Sequence, residues 1–172
     1  MPTIFCSLKL SKLLGVSREQ TIMRDVGDYS DYWNAHLFYL SKRKCIIFIN
    51  KSSLYSFVIL DFIKKDIDPF PKFFIENFLR QLKSDNILTL KYKEFVENVY
   101  QNIVLMPTDN DKKIIGSMND CIYQIGVYAD MNSGIEYLDS NFIGQRLNDT
   151  PRGSINYFFP FEAMNEIIKN HT

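Results

Sequence analysis

The chain has 172 residues, of which 46% are hydrophobic and 15% aromatic, a content that can bury one substantial core and gives no reason to expect a second domain. Lys and Arg together number 20, as do Asp and Glu, so the zero net charge excludes bulk attraction to nucleic acid or anionic lipid and leaves only local patches for phosphate. Cys6, Cys45 and Cys121 are odd in number, far apart and set in apolar runs, which reads as buried thiols in a reducing compartment, with neither disulfide nor metal site.

The expected organisation is a single domain over residues 1–172, cytoplasmic, without cofactor, because no signal-peptide core, bilayer-length apolar run, linker or repeat interrupts the sequence. Residues 3–6 have strand composition. Residues 7–14 read as a short helix stopped by Gly15. The polar stretch 16–32 has no clean period and suggests a surface loop with a helical turn. Residues 33–40 and 44–50 are rich in aromatic and β-branched residues and flank Ser41-Lys42-Arg43, a hairpin tip, and 54–60 follows as a third antiparallel strand. The run CIIFI is apolar without alternation, so its strand should be central and covered on both faces by helices.

Those helices follow. Asp68-Pro69 resembles a cap with proline at the first helical position, and Phe70, Phe74, Phe78 and Leu82 then recur every four residues. Tyr92, Phe95, Val96, Val99 and Tyr100 give a second helical period, 103–106 a short strand, and Asp109-Asn110-Asp111 a turn. Ser117 and Asp120 approximate a capping box, which places the start of the next helix at Met118. Residues 139–147 suggest a further helix, 155–159 a strand, and Pro160 the opening of a last helix. The fold class that results is α+β, a mainly antiparallel sheet with packed helices.

The segments WNAHLFYLSKRKCIIFIN, SLYSFV and IIGSMND, in this order, resemble a family of uncharacterised bacterial domains of unknown function. Its pattern has a W-x-A-N-L strand, an R-[RK]-K-C-L-L-F-T strand, a T-L-[FY]-S element and an L-G-x-M-N-D segment. The resemblance directs attention to Trp33, Lys44, Cys45, Gly116, Met118, Asn119 and Asp120, and implies no activity. His36 stands where the family pattern has Asn, and Ile49-Asn50 where it often has Thr-His.

His36 is the one histidine outside the extreme C-terminus, where His171 is expected in a frayed tail. It is either a partly buried strand residue or, with Asn34 on the same face of the strand and Trp33 beside it, part of a ligand site. Ser117, Asn119 and Asp120 are either a helix cap or a grip for a polar ligand at a helix N-terminus. Lys42, Arg43 and Lys44 form the one dense basic run, a solvated hairpin tip or a weak contact for nucleic-acid phosphate. Arg146, Asn148, Asp149 and Arg152 read as a helix stop rather than a site. The phosphate-loop, dinucleotide, zinc-protease and nucleophile-elbow patterns are missing from the sequence.

The expectation is therefore a small binding or regulatory module that recognises a protein partner or a small polar ligand. The alternative is an enzyme acting on a nucleotide or similar metabolite through His36 and the Ser117 to Asp120 turn. A homodimer is compatible with exposed sheet edges and the large aromatic inventory.

Overall fold

A computed structural model describes residues 1–17, 29–156 and 158–171. In chain order the elements are β1 (Thr3–Cys6), α1 (Leu8–Leu14), β2 (Tyr32–Leu40), β3 (Arg43–Asn50), β4 (Ser56–Ile59), α2 (Phe70–Ser84), α3 (Leu90–Val99), β5 (Val104–Pro107), α4 (Lys112–Met131), α5 (Ser140–Asn148) and α6 (Pro160–Asn170). Most of the expected loop between α1 and β2 lies outside the described residues. Gly15 ends α1 with φ of 71°, in the left-handed region, and its N–H bonds the Ser11 carbonyl.

The five strands lie in the order β4-β3-β2-β1-β5. The hairpin from β2 to β3 turns on Ser41 and Lys42, whose φ values of 48° and 66° match the tight turns that follow strand twist. β4 then pairs antiparallel with β3. The expectation of a mainly antiparallel sheet is corrected here. β1 lies between β2 and β5 and runs parallel to both, with Cys6 opposite Ala35 on one side and Pro107 on the other. The sheet is mixed because parallel neighbours arrive through long crossovers, which leave no turn signal beside the strand.

β3 is enclosed on both faces, as CIIFI requires. Ile46 and Phe48 join Trp33 and Phe57 in a core built with Phe70, Phe74 and Phe78 of α2, Tyr92 of α3 and Met164 of α6. Cys45, Ile47 and Ile49 point the other way, onto Met118, Cys121 and Ile125 of α4 and Ile143 and Leu147 of α5. The phenylalanine stripe of α2 is therefore core. Trp33 packs edge-on against Phe57, Phe74 and Phe78, with ring centroids 4.9–5.7 Å apart. Helix α2 begins at Phe70 with Pro69 as its cap, one residue later than the proline signal suggests.

The β4 edge carries a side-chain substitute for a strand. Asn148, at the end of α5 and 1% exposed, accepts from the Ser56 N–H at 2.8 Å and donates to the Ser56 carbonyl at 2.9 Å. Both backbone groups of an otherwise open position are thereby satisfied. Gly144, one turn earlier, lets α5 approach α2, since a Cβ there would lie 2.1 Å from Gln81 Oε1.

Three further expectations change. Helix α4 begins five residues before Ser117, because the Asp111 carboxylate accepts from the N–H groups of Lys113 and Ile114 at 3.1 and 3.3 Å. The strand expected at 155–159 is replaced, among the described residues, by a 3-10 turn at Gly153–Ile155 and one bridge from Arg152 to Phe158. His171 is not in a frayed tail. Its Nδ1 donates to the Ile167 carbonyl at 2.8 Å and its ring lies 4.6 Å from that of Phe95.

Assigning the cap to Asp111 gives a direct test. Asp111→Ala should lower the unfolding free energy by about 1 kcal/mol and Asp111→Ser by less, because serine retains a capping oxygen. Urea unfolding of both variants checks this, and equal losses would remove the cap assignment.

Candidate functional site

Of the residues singled out in β2, Trp33 offers no surface to a ligand: it is 0% exposed and its indole N–H donates to Tyr100 Oη at 3.3 Å. Asn34 and His36 face the α4 and α5 side of the sheet, opposite Ile49 and Ile47. Asn34 is buried, donates to Asp109 Oδ1 at 3.1 Å, and among the described residues its own Oδ1 has no hydrogen-bond partner. His36 is half-buried. Burial, and then the nearby Lys9 charge, hold its pKa below the usual imidazole value, which leaves it neutral at pH 7.

Asp109 belongs to a charge cluster lying over this part of the sheet. Lys51 Nζ bonds Asp109 Oδ2, lies 3.3 Å from Asp111 Oδ2, and sits 5.0 Å from the centre of the Phe5 ring. Burial works against the charged forms of both partners. It is outweighed by their mutual bonding, so Asp109 stays below the usual carboxylate range and Lys51 above the usual amine range. Asp111 also caps α4, so the cluster ties the start of that helix to β2 and the end of β3.

The segment from Ser117 to Asp120 is a helix interior, and the turn expected there is absent. Ser117 is buried, with its hydroxyl 3.4 Å from that of Ser154. Asn119 and Asp120 are exposed, and Asn119 lies on the opposite side of α4 from Ser117. Neither lies at a helix N-terminus. In the basic run, Lys42 is exposed at the hairpin tip and Arg43 pairs with Asp61.

Of the residues that sequence reasoning set aside as a helix stop, Arg146, Asn148 and Asp149 contribute to a polar site, while Arg152 is buried against Cys121. A cleft of about 380 Å³ opens between the end of α2 and helices α5 and α6, lined by Asp85, Phe142, Gln145, Arg146, Asp149 and Phe161 among others. The Asp85 carboxylate is held by three neutral donors: Tyr55 Oη, Asn148 Nδ2 at 3.1 Å and Gln81 Nε2 at 3.1 Å. Burial, together with the Asp149 charge, raises its pKa against the pull of those donors. Arg146 lies 5.2 Å from the centre of the Phe142 ring and, among the described residues, makes no ion pair. The sequence carries no signal for this site, because Asn148 reads there only as one polar residue before Thr150-Pro151.

The family model of DUF6933, a domain of unknown function, matches residues 3–163. The chain belongs to this family. No curated protein and no solved structure matches it.

The Lys51 cluster carries a pH-dependent prediction. The Asp109 carboxyl is depressed below its unfolded value, so the pair contributes in full above about pH 4 and is lost as pH falls through the lower folded value. Lys51→Met should therefore cost about 3 kcal/mol at pH 7, by leaving Asp109 half-buried and unpaired. At pH 2–3 the difference from wild type should shrink. Chemical unfolding at the two pH values decides it; a constant difference would assign the loss to packing alone.

Proposed function

We propose that this member of the family is a non-catalytic binding module for a small zwitterionic ligand, held in the cleft between α2, α5 and α6. The observation that carries the reading is Asp85, a carboxylate fixed, among the described residues, by three neutral donors and by no cation. A half-buried charge left uncompensated is costly, and its pKa rises accordingly. An ammonium group placed between Asp85 and Asp149 would relieve both the burial and the repulsion. The same cleft offers Arg146, whose planar guanidinium is suited to a carboxylate. Phe142 and Phe161 supply apolar walls. The volume of about 380 Å³ is at the small end for ligand pockets and suits a free amino acid. The module is proposed to act in the cytoplasm, a reading supported by three unpaired, buried cysteines. Among the described residues no helix is long and apolar enough to cross a membrane.

A second reading keeps His36 as a general base acting on a nucleotide or similar polar metabolite. It is favoured by a neutral imidazole and by the unused Asn34 Oδ1 on the same face. The unbroken run of α4 through Ser117 to Asp120 deprives it of the turn that was its second half. Under this reading His36→Ala abolishes turnover and leaves the fold intact, and an active variant removes it.

Calorimetric titration with free amino acids, their amides and their N-acetyl derivatives tests the first reading. One or more free amino acids should bind. The amide, lacking the anion, and the acetyl derivative, lacking the ammonium, should each bind at least tenfold more weakly, the loss of about 1.4 kcal/mol or more. Arg146→Gln should weaken the free amino acid and leave the amide unchanged. Absence of binding by every free amino acid would overturn the reading, as would equal affinity for all three forms.

A further inference from the structure

Helix α4 is 20 residues long, and its outward face has features that the described residues of its own chain do not explain. Ile115, Tyr123 and Val127 are 38%, 76% and 39% exposed. Gly116 and Gly126 lie in the helix interior, where glycine costs roughly 1 kcal/mol relative to alanine. Among the described residues, a Cβ at either position would meet nothing within 4 Å. The contrast is Gly144, whose glycine is demanded by Gln81 at 2.1 Å. The charges also run against the helix dipole: Lys112 and Lys113 open α4, Asp130 lies near its end, and its last turn has no basic residue. Lys112 and Asp130 have no ion-pair partner among the described residues.

The outward positions Lys112, Gly116, Asn119, Tyr123, Gly126 and Asp130 recur at alternating intervals of four and three residues, the spacing of a helix seam that faces another helix. This seam is self-complementary when reversed. About a two-fold axis at the level of Cys121, Lys112 falls opposite Asp130, Gly116 opposite Gly126, and Asn119 opposite Tyr123, with Ile115 and Val127 on the two flanks. Every pair is equally spaced about the same residue, which is the condition that an isologous contact imposes. A like-charge pair at positions 112 and 130, or a bulky residue at Gly116 or Gly126, would break the match.

We propose that the outward face of α4 is a dimer interface, and that its partner is the α4 helix of a second copy of this chain, packed antiparallel. The opposed glycines let the two helices approach closely, Tyr123 lies over the partner's Asn119, and two Lys112 to Asp130 pairs close the ends. The reversed charges, unfavourable within one helix, become favourable across two. Asn119 and Gly116 of the segment GSMND acquire a role here that neither a cap nor a pocket provides. The interface lies on a different part of the fold from the Asp85 cleft and does not depend on what the cleft binds.

Sedimentation equilibrium and light scattering test it on the full chain. Wild type should show a mass twice the 20.2 kDa of the chain at micromolar concentrations and above. Lys112→Glu sets glutamate against Asp130 at both ends and should raise the dimer dissociation constant at least tenfold; Asp130→Lys should do the same. The double variant Lys112→Glu with Asp130→Lys should restore the dimer. Circular dichroism confirms that each variant is folded, since both side chains are exposed. A wild type of single-chain mass overturns the proposal, and so does a dimer indifferent to both charge reversals or not restored by the exchange.

Discussion

Enclosure of β3 on both faces is the constraint from which the remaining architecture follows. A strand that reads Cys45, Ile46, Ile47, Phe48 and Ile49 without a polar position has no face to give to water, so the sheet needs helices on each side. Helices α2, α3 and α6 meet one face with an aromatic core, and α4 and α5 meet the other with a largely aliphatic one. Because α4 and α5 are held by the sheet, their ends are fixed in space. The Lys51 cluster at the start of α4 and the Asp85 cleft beside α5 are both consequences of that fixing.

Local chemistry made much of this legible. The alternation in 33–40, the unbroken apolar run after it and the polar tip between them are effects of neighbours in sequence, and the hairpin they specify is present. Gly15 in the left-handed region and the phenylalanine repeat of α2 are legible for the same reason. The parallel placement of β1 was not, because its partners are set by segments some thirty and a hundred residues away. Nor was the start of α4. Gly116 and the Ser117 to Asp120 spacing imitate a helix opening, while the residue that caps the helix, Asp111, sits inside a cluster that reads as a turn.

The candidate site was less legible than the fold. Asn34 and His36 do share a face, as alternation requires, yet Trp33 beside them belongs to the opposite core. Asn148 was visible only as a polar residue before Thr150-Pro151, since nothing in the sequence reveals that its amide spans Ser56 and Asp85. Those partners lie 92 and 63 residues away. Asp85 itself follows a serine and precedes an asparagine, which disguises a half-buried acid as a loop.

The pairing of Asn148 with Ser56 has a consequence for how the molecule fails. A primary amide is chemically close to a peptide unit, so the sheet is terminated by an imitation of one further residue of strand, delivered from a helix. Protection of the β4 border is thus lodged in α5. Any fluctuation that frays the last turn of α5 uncovers a hydrogen-bonding border and, in the same movement, withdraws a donor from the Asp85 carboxylate. The hydrogen bonding of Asp85 and the closure of the β4 border are in that way coupled through a single side chain, and whatever steadies the carboxylate also keeps the border closed.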